Sequence, residues 1–254
     1  MLPDILTVVS GAIVGLVLGM VGGGGSILAV PLLLYVVGIK DTHLAIGTSA
    51  VAVSLSALAN LVLQARKGTV KWPCALAFAA SGSLGAVAGA ALGKAVDGQK
   101  LLLAFAVAML GVAFSMLWRK PDAGNADVHI TSRLAVRLIP AGFLTGAAAG
   151  FFGIGGGFLI VPGLIGAANM VMLHAIGSSL VSVTAFGAAT AASYAASGLV
   201  LWKTAGFFVL GGIAGGVLGQ WAGTHLAARK GLLTRLFAGL IVLTAIYIAW
   251  QALA

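Results

Sequence analysis

An all-α, polytopic membrane protein made of two homologous repeats is the fold class this sequence predicts. Three observations predict it. Of the 254 residues, 61% are hydrophobic and 7% are charged, whereas soluble domains carry about 25% charged residues. The acidic residues are five, Asp4, Asp41, Asp97, Asp122 and Asp127, and there is no Glu. So few charges do not cover the surface of a soluble protein of this length. Finally, the second half of the chain repeats the first at a nearly constant offset. The fourteen Lys and Arg give a net charge of +9, but they lie scattered between apolar runs. That is the pattern of membrane loops, not of a nucleic-acid footprint, and no nucleic-acid partner is expected.

Charges and turn residues divide the chain into ten apolar stretches, of which eight to ten are expected to be membrane segments. The first five cover about 4–21, 26–39, 43–65, 72–96 and 100–118. The second five cover about 134–152, 157–172, 174–199, 204–228 and 232–253. A spanning helix needs about 20 residues, so the third, fourth and fifth of each set cross comfortably. The first two of each set are shorter and are separated by glycines. No Lys or Arg precedes Lys40, so the first stretch lacks the basic region of a secretory signal and is read as mature structure. Cys74 stands alone, which excludes an intramolecular disulfide.

A shift of 131 residues places Gly11, Gly15, Gly19, Gly22, Gly24, Gly25, Val30 and Pro31 on Gly142, Gly146, Gly150, Gly153, Gly155, Gly156, Val161 and Pro162. After a one-residue slip, Ala45-Ile46-Gly47-Thr48-Ser49 falls on Ala175-Ile176-Gly177-Ser178-Ser179. Gly68, Val70 and Trp72 then fall on Gly198, Val200 and Trp202. The organisation expected is a repeat over 1–118, a polar cytoplasmic link over 119–133 and a second repeat over 134–254, about 127 residues per repeat when the link is divided between them. If the glycine-split pair crosses an even number of times, each repeat makes an odd number of crossings and the two are inverted. Ten cations, including Arg66, Lys67, Arg119 and Arg137, then share one side, and Lys40, Lys94, Lys100 and Lys203 face the other. The excess of positive charge inside favours this arrangement, with both termini outside.

Glycines at every fourth position, as in Gly11/Gly15/Gly19 and Gly85/Gly89/Gly93, line one helix face and let helices approach closely. The runs Gly22-Gly23-Gly24-Gly25-Ser26 and Gly153-Ile154-Gly155-Gly156-Gly157 differ, because consecutive glycines break a helix. Irregular backbone at membrane depth survives only where protein buries it or it lines a cavity. Each run leads to a Val-Pro, and proline is well suited to a helix start. The expectation is a broken or re-entrant segment in each repeat that delivers a helix N-terminus, with free N–H groups, near the bilayer centre.

The expected substrate-binding residues are Gly23, Gly24, Gly25, Ser26, Thr48 and Ser49 from the first repeat. Gly155, Gly156, Gly157, Ser178 and Ser179 are their counterparts. His43 and His174 occupy similar places and are candidates for gating or proton handling. No carboxylate pair, nucleophile motif or metal-ligand cluster is present, so neither an enzyme nor a cofactor or metal is expected. Neutral dipoles suit a weakly hydrated anion. A charge at the bilayer centre costs about 2.5–3.5 kcal/mol on insertion scales. Two helix N-termini, each worth up to about 2 kcal/mol when partly buried, together with hydroxyl donors, offset that.

GLVLGMVGGGGSILAVPLLL, HLAIGTSA, the turn Gly68-Thr69-Val70-Lys71-Trp72 and the second copy GFFGIGGGFLIVPGL resemble the TauE/SafE family of sulfite exporter-like permeases. The resemblance covers essentially the whole chain. It implies a multi-pass transporter of the bacterial plasma membrane. Its substrates would be small sulfur-containing anions: sulfite, sulfoacetate or another organosulfonate, or thiosulfate. Expected partners are that anion and the lipid bilayer, and a homodimer is allowed. An anion channel on the same scaffold, or a non-transporting membrane-complex subunit, is the alternative. The first glycine motif ends Gly25-Ser26 where the second ends Gly156-Gly157, so the two half-sites need not bind alike.

Overall fold

The computed structural model describes residues 2–118, 124–125, 128, 130–153, 157–227 and 232–253. The described residues are almost wholly helical. In the first half, α1 (Leu2–Val21) is followed by a 3₁₀ segment (Gly22–Leu28), one α turn (α2, Ala29–Pro31) and a π turn (Leu32–Val36). Then come α3 (Thr42–Arg66), α4 (Trp72–Lys94) and α5 (Gly98–Trp118). The second half comprises α6 (Ser132–Phe152), α7 (Gly157–Ala168), α8 (Met172–Ala196), α9 (Trp202–Ala227) and α10 (Leu232–Leu253). Among the described residues, six helical runs are long and apolar enough to cross a membrane, the first being Leu2–Val36.

Local chemistry sets the boundaries. Asp41 caps α3 by accepting from the N–H groups of His43 (2.8 Å) and Leu44 (3.0 Å), and Thr131 Oγ1 caps α6 at Leu134 (3.3 Å). Such caps satisfy donors that have no partner inside the helix. α1 and α6 stop where Gly22 (φ +72°) and Gly153 (φ +68°) turn left-handed, a conformation that disfavours any side chain. Every described residue with positive φ has a counterpart 130 or 131 positions away: Gly22 with Gly153, Gly38 with Asn169, and Gly68 with Gly198.

The expected helix start at each Val-Pro is corrected. Pro31 closes α2, with the coil changing from 3₁₀ before it to π after it, and Pro162 lies inside α7. α7 begins at Gly157 instead. The first glycine run forms a 3₁₀ coil of its own, so no separate helix N-terminus follows it; such coils commonly mark hinges and functional sites.

The halves interlock. α1 packs along α9 and α4 along α6, while α3 crosses α8 and α5 pairs with α10. The glycine faces make the first two pairings possible. Gly11, Gly15 and Gly19 meet the backbone at Phe208, Gly212 and Gly216, and Gly142, Gly146 and Gly150 meet it at Phe78, Gly82 and Ala86. Close backbone approach substitutes for the hydrophobic drive that is missing between helices in lipid. Small hydroxyl side chains share the interior with apolar ones, and large apolar side chains face outward. Ser26, Ser49, Ser179 and Thr190 are completely buried, whereas Leu84, Val136 and Trp250 are more than 70% exposed. An apolar outer surface of this kind is suited to lipid.

Contacts gather the helix termini into two ends. At the first end Lys203 pairs with Asp4 at 3.1 Å, and Lys94 Nζ donates to Ser197 Oγ at 3.0 Å. At the second, His174 Nδ1 lies 3.0 Å from the Thr69 carbonyl, and the Asn125 N–H donates to the Asn169 carbonyl at 2.7 Å. Arg66 and Lys203 therefore occupy opposite ends. Single cysteines at those positions are expected to react with an impermeant thiol reagent from opposite faces of the membrane. Labelling from the same face would contradict the arrangement.

Candidate functional site

The two glycine segments meet inside the bundle. α1 delivers Gly22 to the first turns of α8, beside Ile176 and Ser179, while α6 delivers Gly153 to Ile46 in the first turns of α3. Beyond those turns the backbones of Gly23 and Gly157 touch. A Cβ on Gly23 would lie 2.5 Å from Gly157 Cα and 2.6 Å from its carbonyl oxygen. Neither position has room for a methyl group.

Hydroxyls stitch the contact. The Gly157 N–H donates to Ser26 Oγ (3.2 Å), which donates to the Gly23 carbonyl (2.9 Å). The Gly23 N–H donates to Ser179 Oγ (3.1 Å), which donates to the Ile176 carbonyl (2.8 Å). Both serines are fully buried, and a buried N–H requires a partner. The expectation that these loops present free N–H groups is therefore corrected at Gly23 and Gly157. In this conformation serine oxygens accept from both.

Of the sequence-predicted residues, Gly23, Ser26, Gly157 and Ser179 come together, and the fully buried Gly24 and Gly25 belong to the same 3₁₀ coil. Gly155 and Gly156 lie outside the described residues. Ser49 Oγ donates to the Ile46 carbonyl at 2.8 Å, one turn from Gly153. Thr48 and Ser178 do a different job. Thr48 Oγ1 accepts from the Leu201 N–H and Ser178 Oγ from the Lys71 N–H, both at 3.0 Å, so they tether the loops at opposite ends of the bundle. His174 is held by the Thr69 carbonyl, whereas the buried Nδ1 of His43 has no hydrogen-bond partner.

The match of the sulfite exporter TauE/SafE family model extends over residues 7–248. The chain belongs to the TauE/SafE family. This TauE/SafE protein is 51% identical over 249 residues to a "Probable membrane transporter protein" of Xylella fastidiosa (strain Temecula1 / ATCC 700964), covering 98% of this chain and 95% of the relative. It is 26% identical over 238 residues to "Probable membrane transporter protein YunE" of Bacillus subtilis (strain 168), covering 85% and 86% of the two chains. No solved structure matches it. Membership makes it a multi-pass membrane protein of a transporter family.

Sequence reasoning missed two features of this TauE/SafE protein. Gln220 Nε2 donates to the Asn60 carbonyl (2.8 Å) and to Asn60 Oδ1 (3.0 Å), fixing α9 on α3 inside the apolar bundle. Lys94, read as a loop cation, turns inward toward Tyr194, with Nζ 5.7 Å from the ring centroid. The signal for the first was a lone Gln within a span. The second carries no sequence signal, because Lys94 sits where loop cations are common. Among the described residues, the buried hydroxyls of Ser10, Ser56, Ser182 and Thr190 lack hydrogen-bond partners.

Proposed function

We propose that this TauE/SafE protein is a secondary transporter of small sulfur-containing anions such as sulfite, sulfoacetate or another organosulfonate, or thiosulfate, working in the bacterial plasma membrane. The observation that carries the reading is the buried contact between the glycine segments. Gly23 and Gly157 aim N–H groups at Ser179 and Ser26, so serine oxygens hold the positions that the oxygens of a bound anion would take. Separation of the loops frees these donors, and Ser26 and Ser179 redirect their O–H groups from the Gly23 and Ile176 carbonyls to the anion. Hydrogen bonds to a charged acceptor contribute about 1.5–3 kcal/mol each. Two or three of them are commensurate with the insertion penalty of about 2.5–3.5 kcal/mol.

The halves are proposed to be inverted repeats, with the broken segments packed against each other at mid-membrane, an arrangement common to many transporter folds. The matched positive-φ positions and the paired tethers from Thr48 and Ser178 support this. Ser182, one turn beyond Ser178 with an unpartnered hydroxyl, is a further lining group. The chemistry is binding and translocation, not bond making.

Flux in proteoliposomes tests the reading. Labelled sulfite, sulfoacetate and thiosulfate are offered beside chloride and sulfate, with unlabelled anion on the trans side. Saturable uptake of at least one sulfur anion, accelerated by trans anion, is the expected result. Flux without trans-stimulation would indicate a channel, and no flux of any anion would overturn the transport reading.

A further inference from the structure

The two ends of the bundle treat equivalent positions differently. At the second end Gln64, Thr69 and His174 satisfy one another: Thr69 Oγ1 donates to Gln64, and His174 Nδ1 meets the Thr69 carbonyl. The corresponding place at the first end is occupied by Tyr194 and His43, their ring centroids 6.4 Å apart. Tyr194 is completely buried and its hydroxyl has no hydrogen-bond partner, and the buried Nδ1 of His43 has none either. Lys94 Nζ lies 5.7 Å from the Tyr194 ring and spends two of its three donors on the Ser193 carbonyl (3.1 Å) and Ser197 Oγ (3.0 Å). A buried phenol left unpaired forfeits about 1–3 kcal/mol. Two unpartnered polar groups facing each other beside a lysine call for a common partner.

We infer that Lys94, Tyr194 and His43 form a second anion-binding subsite, an antechamber at the first end through which the transported oxyanion reaches the glycine loops. The chemistry available is donor-rich: an ammonium, a phenolic O–H and an imidazole N–H. The acids nearest this group in sequence, Asp41 before α3 and Asp97 after α4, each use Oδ1 to accept from two backbone N–H groups. The subsite borders Gly153 at the end of α6. Tyr194 Cβ packs against Gly47, where a Cβ would lie 3.0 Å away, and the adjoining Ile46 touches Gly153. At the second end Gln64, Thr69 and His174 spend the corresponding groups on one another, so the two mouths are not equivalent.

This inference rests on the proposed anion transport and is tested separately from it. In proteoliposomes of sorted orientation, the half-saturating concentration of labelled sulfite or sulfoacetate is measured for entry at each face. Tyr194→Phe and Lys94→Gln are expected to raise it at least fivefold at the first-end face and less than twofold at the other. Lys94→Arg is expected to restore it to within twofold. Tyr194→Phe removes one oxygen and keeps the ring, so it decides the matter even if the lysine variant fails to fold. Unchanged half-saturation, or an equal loss at both faces, would overturn the subsite while leaving anion transport standing. No flux by the unaltered protein would overturn both.

Discussion

Gly23→Ala is expected to abolish or nearly abolish anion flux in a protein that still purifies as a monodisperse species. The added methyl would stand 2.5 Å from Gly157 Cα and 2.8 Å from its carbonyl carbon. Those atoms are backbone and have no rotamer to change, so one loop must move bodily away from the other. Overpacking in a tight interior costs about 1–3 kcal/mol, occasionally more. That energy is taken from the closed contact and shifts the loops toward separation roughly 5- to 150-fold, so the alternation between closed and open loops that flux requires is lost. Gly157→Ala is expected to behave the same way, because its Cβ would enter the Gly23 carbonyl. Ser26→Ala leaves the chain where it is and removes only a hydroxyl, so its loss is expected to be smaller. Substrate affinity by calorimetry and flux on the same preparations are the measurements. Normal flux in both alanine variants would show that the loop contact is a mere turn.

The next largest effect is expected at the helix seams. Gly15→Val and Gly146→Val are each expected to lower stability in detergent by about 3 kcal/mol or more, the upper range for overpacking. A Cβ at position 15 would lie 2.7 Å from Gly212 Cα, and one at 146 would lie 2.5 Å from Gly82 Cα. Valine adds two further methyl groups to that collision. Gly206 and Gly111 are the controls, since nothing lies within 4 Å of a Cβ built on either. Alanine at those sites is expected to be neutral or to stabilise by about 0.4–1 kcal/mol, through reduced freedom of the unfolded chain. Equal melting curves for Gly15→Val and Gly206→Ala would refute the seam.

The glycine loops were legible because two short apolar stretches split by glycines recur at one offset, and backbone entropy restricts what such a run becomes. The packing faces were legible for a similar reason, since a spacing of four residues defines a helix side. The fate of Pro31 and Pro162 was not. Whether a proline starts a helix or sits within one depends on how the preceding residues close their hydrogen bonds, and here Gly22 to Leu28 coil as 3₁₀ while Gly157 starts α7. The hydroxyl network was hidden for another reason. Ser179 bonds to a glycine 156 residues away, and the rotation of α8 that brings them together is set by packing rather than by local pattern. Tyr194 and Lys94 were visible as residues, but their proximity arises from the meeting of α4 and α8.

The pairing of α1 with α9 also has a consequence for biosynthesis. α4 finds α6 within the next hundred residues of chain, but α1 ends at Val21 and α9 is complete only at Ala227. At ribosomal speeds of about 5–20 residues per second, α1 waits roughly 10–40 s in the membrane before its partner has been made. Throughout that interval its glycine-lined face is open to lipid, insertase or chaperone. α1 is thus threaded long before it is locked, and a nascent chain halted before α9 leaves that face exposed to quality control.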